Sequence, residues 1–140
     1  MYTQDHNDKY PSAKYMPDPW LSADDDPPLN VAIRDYIPED TPAYRCPGDR
    51  VVYDYEYEVE DGVFAKCGMS YTYVATLSNR TFEDSFYFRF LRRTPVDTPV
   101  AYDYDGGTFE TQDGEQVTVD FFHSKRSVLF VDGHVDTYQE

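Results

Sequence analysis

The sequence predicts an α+β fold in which a small antiparallel β-sheet is combined with a short helix and long loops. Apolar and acidic residues alternate along 53–59, which is the period of two of a half-exposed strand. Two short apolar runs flank Asp132-Gly133 near the end of the sequence, and this pair favours a type I′ turn and a terminal β-hairpin. The region 1–28, called here the N-terminal wrap, should hold little regular structure because of its prolines: Pro11, Pro17, Pro19, Pro27 and Pro28.

The first predicted helix follows the N-terminal wrap. Apolar residues recur near helical spacing from Leu29 to Ile37. Asp26 or the prolines that follow it would begin this helix, and Pro38 would end it. The segment 1–43 is therefore predicted to be rich in loops with one short helix. Trp20 is interpreted as the side chain that pins the wrap to the core.

The segment 44–140 is predicted to be mainly antiparallel sheet, with about four to six strands between 50 and 138. Residues 82–93 fit either a strand or a helix, and a helix is favoured because acids come early and bases late. Turns are expected where Gly follows an acidic residue, as in 60–62 and 113–114. The strands are expected within 51–59, 63–77, 100–103, 115–122 and 128–138.

Length and charge limit the possible functions. With 140 residues and a mass of 16.3 kDa, the sequence suits one domain, 1–140. A formal net charge of -15 repels nucleic-acid phosphates and anionic lipid headgroups, so cations or basic protein surfaces are the favoured partners. Binding to nucleic acid is therefore not expected.

The two cysteines, Cys46 and Cys67, allow three interpretations. A disulfide between them is preferred, and it would imply an oxidising compartment. Two buried free thiols are the simpler alternative. The third is a zinc site in which both cysteines are completed by histidine.

Histidines and carboxylates are concentrated near the end of the sequence: Asp120, His123, Asp132, His134 and Asp136. Such side chains could ligate zinc or serve as acid and base in a metal-dependent hydrolase. A turn aspartate with hydrogen-bonded histidines is the simpler explanation. The sequence contains no Gly-x-Ser-x-Gly, no His-Glu-x-x-His and no phosphate-binding Gly loop, so an enzyme is not expected.

Three short segments occur in a characteristic order. They are the Cys-Pro-x-Asp element at 46–49, preceded by Tyr44, the segment Gly-Met-Ser-Tyr at 68–71, and the closing segment 130–135. In this order they resemble the G-like pseudopilins of type II secretion, in particular the group named for a His followed by nine residues and Asp-Gly. One departure is that only eight residues separate His123 from Asp132.

The beginning of the sequence extends the resemblance. Residues 1–5 read like the last turn of a helix that enters a loop, and with 7–11 they resemble the junction between the long pseudopilin helix and its globular head. The prepilin leader and the apolar helix of the family are absent from the sequence given, and we expect such a segment to precede it.

The resemblance implies a structural subunit of a type II secretion pseudopilus or a type IV pilus-like filament. The head domain would lie at the periplasm or cell surface, attached to a helix that inserts into the inner membrane. This helix would pack against copies of itself and other pseudopilins. Head-to-tail packing of this kind gives an open helical polymer. Secreted cargo is a further expected partner, and no catalytic residue is needed.

Calcium is the cofactor that the sequence suggests, because hard cations prefer several oxygen ligands. Related G-type pseudopilins have a calcium site near their last strands. The best local candidates here are Asp103 and Asp105, with Asp97 or Asp113 as additions, and a solvated acidic turn is the simpler alternative. An alternative function uses the same acidic loops. It is a secreted calcium-dependent adhesin or carbohydrate-binding module, which would bind its ligand with the acidic loops and with a strip of Tyr53, Tyr55 and Tyr57.

Overall fold

The computed structural model describes residues 2–17, 20, 22, 25–49, 64, 67–104, 106–119, 121 and 123–138. These residues form short helices and two antiparallel sheets, in agreement with the predicted α+β class. The α-helices are α1 (Tyr2–Asp5), α2 (Leu29–Ala32) and α3 (Phe86–Arg89), and the 3₁₀ turns are Pro42–Tyr44, Ala75–Leu77 and Pro95–Asp97. In the described part of the chain no helix is both long and apolar enough to span a membrane.

The four-stranded sheet has the strand order β1-β2-β5-β6, and a separate two-stranded sheet pairs β3 with β4. The four pairings between these strands are all antiparallel. The strands are β1 (Tyr71–Tyr73), β2 (Pro99–Asp103), β3 (Gly107–Glu110), β4 (Gln116–Val119), β5 (Arg126–Phe130) and β6 (Val135–Tyr138).

Two predicted strands differ from the structure. Of the described residues in the segment predicted at 63–77, only those of β1 form a strand, and the backbone turns into the 3₁₀ segment Ala75–Leu77 one residue after it. The predicted strand at 51–59 lies outside the described residues.

The predicted helices are confirmed but shorter than expected. The helix after Pro28 is α-helical only over α2, although turn hydrogen bonds continue to Ile37, whose amide donates to the Ile33 carbonyl at 3.1 Å. The ambiguous segment 82–93 contains α3. The Ser85 hydroxyl caps α3 by accepting from the Phe88 amide at 3.3 Å, and Arg92 leaves helical geometry with a φ of 54°.

The terminal hairpin of β5 and β6 is confirmed, but its turn type was predicted wrongly. Of the Asp132-Gly133 pair only Gly133 has a positive φ, 90°, whereas a type I′ turn needs two such residues. The Gly133 amide donates to the Phe130 carbonyl at 2.9 Å, and the Phe130 amide donates to the His134 carbonyl at 2.9 Å. A three-residue loop with a left-handed Gly at its end therefore closes the hairpin.

The N-terminal wrap begins with a turn of helix and later contacts β1, where the Tyr73 amide donates to the Tyr15 carbonyl at 3.2 Å. After α1 the Asp8 amide donates to the Thr3 carbonyl at 2.8 Å, so the first residues do form a helical turn that enters a loop. Further along, Trp20 is 1% exposed and packs in a cluster with Met16, Tyr104, Val117 and Val119. This cluster confirms that Trp20 pins the wrap to the core.

Candidate functional site

Cys46, Asp103 and His123 lie together, although they are far apart in the sequence. One potential ligand atom from each side chain lies within 4.8 Å of the other two, and this is the only such group of three that the described residues contain. His123 Nε2 is 3.1 Å from Cys46 Sγ, and His123 Nδ1 is 3.5 Å from Asp103 Oδ2. We call these three residues the Cys-Asp-His cluster.

Each member of the cluster is held by a different segment. Cys46 begins a tight turn in which the Asp49 amide donates to the Cys46 carbonyl at 3.0 Å. Asp103 is the last residue of β2 and pairs with Tyr71 of β1. His123 lies three residues before β5. The antiparallel pairing of β2 with β5 brings the last two segments side by side.

The cluster is largely buried. Cys46 is 4% exposed and Asp103 is 2% exposed, while 21% of the His123 side chain is accessible. Burial raises the pKa of the Cys46 thiol, the Asp103 carboxylate raises it further, and a hydrogen bond from the Gly48 amide opposes the shift. In the absence of a bound cation the thiol is therefore protonated at neutral pH.

A second polar network lies beside the cluster. The Asp49 carboxylate is 0% exposed and accepts hydrogen bonds from the Ser70 hydroxyl at 2.6 Å and the Phe64 amide at 2.7 Å. The backbone of Ser70 extends the network, because its amide donates to the Tyr44 carbonyl at 2.8 Å and its carbonyl accepts from the Tyr104 amide at 2.9 Å. Two segments that carry the family resemblance, 46–49 and 68–71, therefore contact each other directly.

Cys46 and Cys67 are not bridged in the structure, and the disulfide preferred from the sequence stays a prediction. The two sulfurs have different surroundings. Cys46 contacts His123, whereas Cys67 packs against the Met16 and Trp20 cluster. The zinc site with both cysteines is also not formed, since only Cys46 belongs to the group of ligand atoms.

The residues proposed for calcium do not come together in the described part of the structure. Asp103 is buried, and its Oδ2 accepts from the Ser127 amide at 2.7 Å. Asp97 accepts from the Thr94 hydroxyl at 2.5 Å within its own turn, and Asp113 lies exposed in the loop between β3 and β4. Asp105 lies outside the described residues, so calcium binding stays a prediction.

His134 and Asp132 form a separate exposed pair in the terminal hairpin. His134 Nδ1 is 2.5 Å from Asp132 Oδ1, and the imidazole stacks on Phe130 with the ring centres 4.4 Å apart. The hydrogen bond from His134 lowers the pKa of the Asp132 carboxyl. Asp136 is exposed on β6, and Asp120 lies outside the described residues. The contacts of His134 thus agree with the simpler interpretation, in which a turn aspartate is hydrogen-bonded to a histidine.

The geometry of the cluster allows two kinds of chemistry. The first is nucleophilic catalysis, in which a thiol is the nucleophile, an imidazole is its general base and a carboxylate orients the imidazole. A nucleophilic cysteine, however, needs an accessible thiolate, whereas the thiol of Cys46 is buried with a raised pKa. The alternative is metal ligation, for which thiolate, imidazole and carboxylate are all suitable donors.

Sequence reasoning identified the members of these two networks but not their contacts. From the sequence, His123 belongs to the histidines and carboxylates near the end, Asp103 to the carboxylates proposed for calcium, and Cys46 to a pair with Cys67. A useful signal is that Asp49 and Ser70 are small polar residues inside the segments that carry the resemblance. Comparisons with protein-family models, curated proteins and solved structures give no match for this chain. Its function is therefore inferred from its own residues and contacts.

Proposed function

We propose that this chain is the head domain of a structural subunit of a type II secretion pseudopilus or a type IV pilus-like filament. One observation carries the proposal: the segments that resemble G-like pseudopilins meet in the fold. Asp49 of the Cys-Pro-x-Asp element is bonded to Ser70 of the second segment at 2.6 Å. Cys46 of the same element contacts His123, the histidine whose spacing to Asp132 is compared with the family, at 3.1 Å.

These contacts give the shared residues a structural role. Asp49 and Ser70 are both 0% exposed, and a buried carboxylate is tolerated only where hydrogen bonds compensate for its lost hydration. The network fixes the segment before β1 against the turn at 46–49. In our proposal the shared residues thus keep the head rigid, and they take part in no turnover of a substrate.

The beginning of the fold also supports a filament subunit. The helical turn α1 is followed by Asn7 and Asp8, whose positive φ angles of 55° and 60° end the helix abruptly. Tyr10 then joins the body of the domain, because its amide donates to the Arg80 carbonyl at 2.9 Å. In the proposed subunit, α1 is the end of a longer apolar helix that anchors the head in the inner membrane and packs against neighbouring copies.

The head surface would face neighbours or secreted cargo. Phe86 and Phe88 of α3 are 49% and 40% exposed, and Phe90, which follows α3, is 72% exposed. The rings of Phe86 and Phe90 stack at 5.3 Å. Exposed aromatic groups of this kind suit contacts with other proteins. No described residue favours the adhesin alternative, because Asp103 is buried and the strip of Tyr53, Tyr55 and Tyr57 lies outside the described residues.

Assembly in the native host tests the proposal. The complete reading frame is expressed with a tag at its carboxyl terminus. Surface filaments are sheared off, and intact cells are treated with a short amine-reactive cross-linker. We expect the tagged protein in the membrane and filament fractions, with a ladder of cross-linked multimers. The matched control is the 1–140 chain exported behind a cleavable signal peptide, which should stay monomeric. A monomer in both cases, confined to the released periplasmic fraction, would refute a filament role.

A further inference from the structure

We propose that Cys46, Asp103 and His123 form a binding site for Zn²⁺ in which the ion joins three separate segments of the head domain. The site is independent of filament assembly, because all three ligands belong to this chain. It also differs from the calcium site that the sequence suggested, since only one of its three donor atoms is a carboxylate oxygen.

The donor set selects the metal. A thiolate sulfur, an imidazole nitrogen and a carboxylate oxygen are the three ligand types that proteins use for zinc. Calcium and magnesium instead require oxygen ligands, and a thiol beside the carboxylate would serve them poorly. Of the common divalent ions, Zn²⁺ therefore fits Cys46, Asp103 and His123 best.

The donor atoms lie near enough to one another for a single ion to gather them. Zinc lies about 2.3 Å from sulfur and about 2.0 to 2.2 Å from nitrogen or oxygen, which at tetrahedral angles separates neighbouring ligand atoms by roughly 3.3 to 3.6 Å. The observed separations are 3.1 Å from Cys46 Sγ to His123 Nε2 and 3.5 Å from His123 Nδ1 to Asp103 Oδ2. These two distances involve different ring nitrogens, so the imidazole now lies between the sulfur and the carboxylate oxygen. To bind one ion, the ring has to turn so that a single nitrogen faces the ion, and the three ligand atoms, which lie within 4.8 Å of one another, have to draw closer together.

Charge balance supports the same conclusion. A buried carboxylate and a buried thiol adjoin each other at this site. A divalent cation would replace the thiol proton and neutralise the thiolate and the carboxylate together, which offsets the cost of burying two anions. The imidazole binds as a neutral ligand, so the complete site would carry no net charge.

The surroundings already provide the outer hydrogen bonds of a metal site. The Gly48 amide donates to Cys46 Sγ at 3.4 Å, and the Ser127 amide donates to Asp103 Oδ2 at 2.7 Å. Such donors orient anionic ligands, and their loss in metalloproteins weakens metal affinity by about 10- to 100-fold. His123 is the most accessible member, with 21% of its side chain exposed, so solvent reaches the cluster at this residue. A water would complete the usual four ligands of zinc.

Titration with metal ions alone tests the site. The chain is freed of metal with a chelator, dialysed and titrated with Zn²⁺ by calorimetry, and with Co²⁺ by absorption spectroscopy. We expect one ion per chain and a thiolate-to-cobalt charge-transfer band in the near ultraviolet. Cys46→Ser should abolish this band, and His123→Ala and Asp103→Asn should each weaken zinc binding by about tenfold or more.

The chain offers matched controls. Cys67→Ser removes the other thiol, and His134→Ala removes a histidine that is paired with Asp132 and lies outside the cluster. Both variants should keep the stoichiometry, the cobalt band and the affinity of the wild type. A cobalt band that persists in Cys46→Ser, or equal weakening by His134→Ala, would overturn the proposal, as would a folded wild-type chain that binds neither ion.

A measurement on the wild-type protein covers the case in which a variant fails to fold. Iodoacetamide labelling is followed by mass spectrometry of the peptides that contain Cys46 and Cys67, with and without Zn²⁺. Zinc should slow the labelling of Cys46 at least tenfold, because a coordinated thiolate is shielded, and should leave Cys67 unchanged. Equal labelling of Cys46 in the two conditions would contradict the site.

Discussion

The carboxylate of Asp49 accepts a hydrogen bond from the hydroxyl of Ser70 at 2.6 Å, in a place where neither residue is accessible to solvent. The same carboxylate oxygen accepts from the Phe64 amide at 2.7 Å. Charged acceptors form the stronger kind of hydrogen bond, and a buried charge depends on every donor it has. The bond therefore fixes the turn that carries Cys46 against the segment that leads into β1.

Removal of the Ser70 hydroxyl should destabilise the domain. In Ser70→Ala the buried Asp49 carboxylate loses a donor, and hydrogen bonds to charged groups contribute about 1.5 to 3 kcal/mol. Urea unfolding followed by circular dichroism should show a loss of this size. Ser124→Ala is the matched control, because Ser124 is exposed and its replacement should change the free energy of unfolding by less than about 0.5 kcal/mol. Equal midpoints for the two variants would contradict the role of the bond.

The terminal hairpin could be predicted because its signal is local. Two short apolar runs and Asp132-Gly133 lie within one short segment, and β5 and β6 pair as expected. The turn type depends on the φ angle of a single residue, Asp132, which the dipeptide alone does not fix. The length of β1 depends on long-range pairing with β2, so a pattern within 63–77 could not predict that the strand among the described residues there is limited to Tyr71–Tyr73.

The Cys-Asp-His cluster could not be predicted from the sequence because its members meet through strand order. Asp103 reaches the cluster from the end of β2, and His123 reaches it because β5 pairs with β2 and not with β4. Cys46 lies outside both sheets and is positioned by its own turn. The residue types and their chemistry were visible in the sequence, whereas their proximity depends on a topology that short motifs do not encode.

Trp20 should be the residue whose loss most weakens the attachment of the N-terminal wrap. Its side chain is 1% exposed and packs with Tyr104 at a ring separation of 5.7 Å. Trp20→Ala leaves a large cavity, for which a loss of about 3 to 5 kcal/mol is expected. Phe90→Ala is a suitable control, since Phe90 is 72% exposed and its removal should cost little stability. Thermal unfolding that does not distinguish the two variants would show that the wrap is dispensable to the core.

The hydroxyl of Tyr73 should fasten the N-terminal wrap to β1 through its hydrogen bond to Pro11. Tyr73 is 0% exposed, burial raises the pKa of its phenol, and its hydroxyl donates to the Pro11 carbonyl at 2.9 Å. Tyr73→Phe removes this donor and leaves the carbonyl unsatisfied, which costs about 1 to 3 kcal/mol. Tyr36→Phe provides the control, because the Tyr36 hydroxyl donates to Asp5 at the surface. Denaturant unfolding should separate the two variants, and an undiminished stability of Tyr73→Phe would contradict the prediction.

The pair of Asp132 and His134 predicts a pH dependence at the hairpin. The hydrogen bond from His134 lowers the pKa of the Asp132 carboxyl below its ordinary value of 3.8. Because the pKa in the folded state is depressed, the pair stabilises the fold fully above the unfolded-state pKa, and the contribution is lost as pH falls through the folded-state pKa.

An NMR titration of the Asp132 carboxyl carbon measures this effect. In wild type the midpoint should lie below 3.8, and in His134→Ala it should move up towards that value. The difference in unfolding midpoint between the two proteins should accordingly shrink as the solution is acidified below the Asp132 titration. His6→Ala serves as the control, because His6 stacks on Tyr2 of α1 and should leave the Asp132 titration unchanged. An Asp132 midpoint that is the same with and without His134 would show that the hydrogen bond does not persist in solution.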